Sequence, residues 1–180
     1  MDAPALLAAF LLAAGLAFPA EQQREFLTSP EVDQVREAQE AADRIKLYVK
    51  FAQVRLDTLD KELAEQPSSR AIAIHDMLYE YGRIMDAIDD VAESATAKRA
   101  LVRKGLETVV KEAPGFLKRL KALEAKNPKD IEEYRFILRQ AMETTESVLE
   151  GLREQLSKLP PDRKTEKQQE KEAKKKKEEK

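Results

Sequence analysis

The chain has no cysteine. That one absence removes disulfides, thiolate metal sites, cysteine nucleophiles, covalent haem attachment and the lipidated cysteine of a lipoprotein. Tryptophan is also missing, aromatic residues make up 6%, and only 5 glycines occur in 180 residues. So little glycine leaves no phosphate loop, no dinucleotide-binding glycine motif and no serine-nucleophile elbow, and no metalloprotease motif is present either. His75 is the single histidine. A helical di-iron site needs two Glu-x-x-His motifs, which one histidine cannot supply. A Ser-His-Asp arrangement would have to use His75, and nothing near it marks a nucleophile. An excess of one charge is lacking as well: 32 basic residues face 34 acidic ones, for a formal net charge of -2. The body therefore offers no broad cationic field for a nucleic acid. No enzyme, cofactor or metal function is expected.

What the chain does have is 42% hydrophobic and 37% charged residues, the composition of helices carrying a narrow apolar seam. Strand signals are nearly missing, so the expected class is all-α: an elongated antiparallel hairpin or bundle of three to four helices over residues 29–159, with coiled-coil-like seams. Ser29-Pro30-Glu31 reads as a helix start, with a cap, a proline suited to the first turn and an acid at the positive end of the dipole. From there Val35, Ala38, Ala42, Ile45, Val49, Ala52, Leu56, Leu59 and Leu63 alternate steps of three and four, predicting one helix to about Gln66. Pro67-Ser68-Ser69 breaks the pattern, and so short a connection folds the next helix back antiparallel.

In that next stretch the seam from Ile74 to Leu123 keeps one heptad frame, interrupted where Arg99 takes a seam position. The frame slightly favours a long continuous helix over a turn near residues 94–97, which would make an ordinary four-helix bundle. Pro114-Gly115 is the expected kink or stop. Asn127-Pro128-Lys129-Asp130 reads as the start of a last helix lined by Ile131, Tyr134, Leu138, Ala141, Thr145, Val148, Leu152, Leu156 and Leu159, ended by Pro160-Pro161.

Two segments lie outside this body. Residues 3–20 are apolar apart from turn residues and stop abruptly at Glu21, which predicts a signal peptide cleaved after Ala17, or else an N-terminal membrane anchor. Asp2 departs from the usual basic start of such a leader. Residues 160–180 are almost entirely Lys, Glu, Gln and Arg and read as a disordered charged tail.

Several features bear on function. Leu47, Phe51 and Val54 form a second apolar stripe roughly opposite the Ile45 and Ala52 seam, a candidate face for a partner or a second copy unless the last helix of the same chain covers it. Asp76, Glu80, Asp86, Asp89, Asp90 and Glu93 make part of the second helix acidic, and Asp86 with Asp90 stand one turn apart, close enough to share a hard cation, although a solvated face is the plainer reading. Arg44, Lys46, Lys50 and Arg55 bracket the apolar centre of the first helix and read as ordinary surface charge.

The expected function is therefore a non-catalytic, exported helical interaction or scaffold protein of the cell envelope, periplasmic or extracellular and holdase-like in one version. Its expected partner is a protein or another copy of itself, with no nucleic acid and with membrane contact only through residues 3–20 if these stay uncleaved. The alternative is a small-ligand or metal-binding sensor using the acidic face of the second helix.

Overall fold

A computed structural model describes residues 25–64, 67–97 and 101–160. The predicted leader (1–20) and nearly all of the predicted tail lie outside these residues. The fold is all-α: α1 (Ser29–Glu37), α2 (Ala41–Glu62), α3 (Pro67–Ala97), α4 (Arg103–Lys126) and α5 (Arg135–Lys158), with a short 3₁₀ turn at Ile131–Glu133 before α5. Among the described residues no helix is long and apolar enough to cross a membrane.

The four long helices form a bundle in which α2 packs on α3 and α4, and α5 packs on the same two. Around the ring the order is thus α2, α3, α5, α4. Consecutive helices run antiparallel, so α2–α3 and α4–α5 are two hairpins, laid face to face with α2 parallel to α4 and α3 parallel to α5. The cross-contacts fix these directions. Arg119, near the end of α4, pairs with Asp57 and Asp60, near the end of α2, at 2.9 and 2.6 Å. Thr96, near the end of α3, meets Gln155, near the end of α5, at 3.4 Å.

In this order α3 and α4 stand on opposite corners of the ring.

The seams predicted from sequence form the core. Ile45, Leu56, Ile74, Leu78, Ile84, Met85, Ile88, Leu106, Leu120 and Leu138 are all fully buried. Tyr81 sits at the middle of three helices. Its ring meets Phe116 of α4 edge-on at 6.3 Å, and its hydroxyl lies 2.8 Å from Thr145 Oγ1 of α5. Thr145 donates its own proton to the Ala141 carbonyl at 2.6 Å, so Tyr81 is the donor of the pair. Burial pushes the Tyr81 phenol far up, opposed by the bond to Thr145, and it stays a neutral donor.

Arginines hold the two ends of the bundle. Arg70 of α3 donates to Asp130 Oδ2 and Oδ1 at 2.8 and 2.9 Å and also to the Leu63 carbonyl, which ends α2. Those bonds hold the Asp130 carboxyl below its ordinary value against the opposing effect of burial. At the other end Arg103 of α4 donates to the carbonyls of Leu156 (3.3 Å), Leu159 and Pro160 (2.9 Å), closing the last turn of α5. A guanidinium against the free carbonyls of a helix C-terminus satisfies acceptors that the helix itself cannot.

Four expectations are corrected. The helix from Ser29 toward Gln66 is broken at residues 38–40, where Ala38 and Glu40 are extended, and α1 turns back along α2. The second seam is not one continuous helix: α3 ends at Ala97 and α4 starts at Arg103, and the bundle is the ordinary four-helix kind, while the seam fault at Arg99 lies outside the described residues. Pro114-Gly115 neither ends nor replaces α4, because both residues lie on its exposed face, where water can take up the carbonyl that proline leaves without a donor. Asn127 does not open the last helix. Its left-handed backbone (φ 45°) closes α4 instead, a conformation that asparagine tolerates better than most residues.

Gly105 shows how tightly the two hairpins meet. A Cβ there would lie 3.0 Å from Ala42 Cα and 3.1 Å from Ile45 Cβ, whereas one at Gly151 meets nothing within 4 Å. We therefore expect Gly105→Ala to lower stability by about 1–3 kcal/mol through overpacking at the α2/α4 contact. Gly151→Ala, in an open helix interior, should raise it by roughly 0.5–1 kcal/mol. Chemical denaturation of the two variants checks the opposite signs.

Candidate functional site

The most developed polar constellation in the bundle is centred on Arg55, on the flank of α2 that looks toward α3. Its guanidinium is buried, and every nitrogen has a partner. Nη1 and Nη2 donate to Glu31 Oε1 and Oε2 at 2.8 and 2.7 Å, Nε donates to Glu80 Oε2 at 2.5 Å, and Nη2 donates also to the Phe26 carbonyl at 3.0 Å. Glu31 belongs to α1, Glu80 to α3 and Phe26 to the segment entering α1. One side chain thus ties three parts of the chain together.

Glu31 has a second task. Its Oε2 accepts the Thr28 backbone N–H at 2.8 Å, so the same carboxylate caps α1 and docks it. Burial pushes Glu31 up. The hydrogen bond from Arg55, the Thr28 N–H and the Arg55 charge more than offset this and hold the carboxyl below its ordinary value. Arg55 is raised by its bonds to Glu31 against the effect of burial.

These contacts place α1 as a strap. It starts beside Arg55 and runs back along α2 toward Arg44, whose Nη2 donates to the Gln39 carbonyl at 3.2 Å. Between those two anchors the flank of α2 presents Phe51 and Tyr48, which meet edge-on at 6.3 Å and are both buried. Phe26, Leu27 and Val35 pack against the core from the strap side. Phe26 also lies under the Arg83 guanidinium of α3, 5.7 Å from the ring centroid. The arrangement is a short helix lying in a groove, held by apolar contact and one buried ion-pair centre.

The stripe read from sequence is divided by this arrangement. Phe51 is only 2% exposed, Leu47 is half-buried against the core, and Val54 is 43% exposed. The three do not form one open face. Nor is it α5 that approaches this flank, since α2 packs on α3, α4 and α1.

Sequence reasoning read Glu31 only as a first-turn acid and Glu80 only as part of the acidic second helix, passed over Phe26, and left Arg55 among surface charges. A signal was available: Arg55 falls one turn beyond Phe51 and beside Leu56, inside an apolar stretch where a solvated arginine is out of place.

Asp86, Asp90 and Glu93 stand along the outer edge of α3, whereas Glu80 faces Arg55. Burial, followed by the repulsion of Glu93, Asp90 and Asp86, raises Asp89 above its ordinary value. Asp86 is raised by burial, with Arg83 opposing and Asp90 adding to the shift. Asp86 pairs with Arg83 at 3.5 Å. Among the described residues no three His, Asp or Glu side chains converge in a way that could hold a metal ion. His75 is exposed beside Asp76 and edges a shallow open groove of about 240 Å³ with Ala71, Ile72 and Glu133.

Comparison of the chain with family models, with curated proteins and with solved structures gave no match.

Glu31 offers a direct test of the strap. Its carboxyl has a lower pKa folded than unfolded, so its stabilisation is complete above its unfolded value, near 4.3, and is lost as pH falls through the folded one. We expect Glu31→Gln to speed hydrogen exchange at the amides of residues 32–37 about tenfold at pH 7, a loss of about 1.4 kcal/mol. Exchange in the cores of α3 and α5 should be unchanged. The difference between the two proteins should close only as pH falls through the lowered folded value, beneath the ordinary glutamate range, where wild-type Glu31 also becomes neutral.

Proposed function

We propose that this chain is a non-catalytic helical interaction protein, an adaptor or scaffold, exported to the cell envelope by residues 3–20. The observation that carries the reading is the groove on the α2/α3 flank, which already holds a helix. A groove with an apolar floor at Tyr48 and Phe51 and a buried guanidinium as its polar key recognises an amphipathic helix bearing an acid. Here the chain's own α1 occupies it through Glu31.

The distribution of polar groups supports the same reading. The buried polar side chains Glu31, Arg55, Arg70, Asp130 and Thr145 bond to partners inside the fold and brace its elements. The exposed apolar residues are scattered: Phe136 (82%), Ile72 (78%) and Leu101 (76%) come from different elements. Support for export comes from the apolar run ending at Glu21, with small residues Gly15 and Ala17 at the positions a signal peptidase reads.

In cells, a photo-crosslinking residue at position 47 or 54 should give one adduct of discrete mass that is not formed from position 153 on the exposed face of α5. Equal adducts from all three positions, or none, would rule out a dedicated face beside the strap, and a ladder of many masses would point to a holdase. The mature chain should begin at Phe18, as read by N-terminal sequencing of the fractionated protein.

A further inference from the structure

The ring order places α3 and α4 on opposite corners of the bundle, and these helices carry opposite charge. Within its bounds α3 has six acidic side chains against Arg70 and Arg83, while α4 has seven basic ones against three acids. On a wheel of 100° per residue, Asp86, Asp90 and Glu93 lie on the side of α3 away from its core positions Ile74, Tyr81 and Met85. Lys104, Lys111 and Lys118 lie likewise away from Leu106, Val109 and Leu120 of α4. Those three lysines recur every seventh residue, all exposed, with the small or flat residues Pro114, Gly115 and Ala122 between and beyond them.

Among the described residues the acidic row has one cation, Arg83, at 3.5 Å from Asp86, and the lysine row has one close acid, Glu112, at 2.9 Å from Lys111. Both are short-range exposed pairs, which are weak and easily exchanged.

We propose that the acidic edge of α3 docks on the lysine edge of α4 of a second copy of this chain. Four features of the fold agree with that occupant. The two edges face opposite directions, so one copy presents each edge to a different neighbour. Both rows lie in the same half of the bundle, near the end where α3 stops and α4 starts, so a simple translation brings them level. The acidic row covers about 10 Å of helix and the lysine row about 21 Å, so the shorter fits within the longer. Finally, α3 and α4 run in opposite directions, so at the contact the two helices are antiparallel and their dipoles align favourably.

Such a contact is heterologous: the surface used by one copy differs from that used by the next, and a translation does not close on itself. The product is an open row of bundles, in which the α2/α3 groove and the strap recur at regular spacing. The inference rests on the interaction-protein reading above, but its test uses the purified chain alone. Loss of a cellular partner and loss of self-association are therefore scored separately.

The full-length chain is examined by sedimentation velocity at high protein concentration, over a salt series from about 20 mM to 0.5 M, where the screening length falls from roughly 20 Å to about 4 Å. Concentration-dependent species larger than a monomer are expected at low salt and only monomer at high salt. The variants Asp86→Lys/Asp90→Lys/Glu93→Lys and Lys104→Glu/Lys111→Glu/Lys118→Glu should each stay monomeric at low salt with helical content retained. Their equimolar mixture should associate again, because one now carries two basic edges and the other two acidic ones; a misfolded variant would not be rescued by mixing. Monomer at every salt concentration overturns the proposal. So does association that survives both reversals, and so does loss on reversing α3 alone, which would make the basic residues 174–177 the occupant of the acidic edge.

Discussion

A guanidinium removed from water needs an acceptor for each of its donors, and in a helical bundle the backbone of its own helix cannot supply them. Arg55 therefore sets conditions on the rest of the chain. Glu80 must stand across from it on α3, which fixes the relative height of the two helices in the first hairpin. Glu31 must also come within 3 Å, although in a continuous helix 24 residues would separate the two by about 36 Å. The break at residues 38–40 is the price of that contact. A stretch with neither glycine nor proline leaves the helix so that α1 can double back and cover Phe51.

The same device recurs with different partners at the ends of the bundle. Arg70 joins the start of α3 to Asp130 and to the last carbonyls of α2; Arg103 joins the start of α4 to the last turn of α5. Each begins a helix and caps a neighbouring one. Hydrophobic seams alone would hold the helices together while leaving their heights loosely defined, since one leucine layer packs much like the next. The charged corners and the Tyr81–Thr145 bond in the middle distinguish the correct heights from their neighbours.

The parts of the architecture written in local pattern were legible before any coordinates. Steps of three and four from Ile45 to Leu59 gave the buried face of α2, and those from Ile74 to Ala92 gave that of α3. The same held for Leu138 to Leu152 in α5. Where helices stop was legible only in part, because a helix end depends on what the next segment gains by turning. The boundary between Ala97 and Arg103 was not marked by any break in the heptad frame strong enough to choose it, and Pro114 was a false stop, because on an exposed face water can bond the carbonyl that the proline orphans. The strap was not legible at all. It depends on a pairing of Glu31 with Arg55 across 24 residues, and no periodicity reports a contact of that kind. The acidic character of α3 was plain in the sequence, but that its corner lies diagonally across from the basic α4 follows only from the ring order.

The missing side chain at Gly105 bears on which alternative structures the chain avoids. Two hairpins with heptad seams can slide along each other by seven residues and still match leucine to leucine. Beside Ala42, where α2 and α4 touch, such a slip toward the end of α4 would bring Glu112 in place of Gly105. A charged side chain would then stand where even a methyl group would press its neighbours aside. Gly105 is the notch into which one register locks, and it makes an otherwise repetitive interface read in only one way.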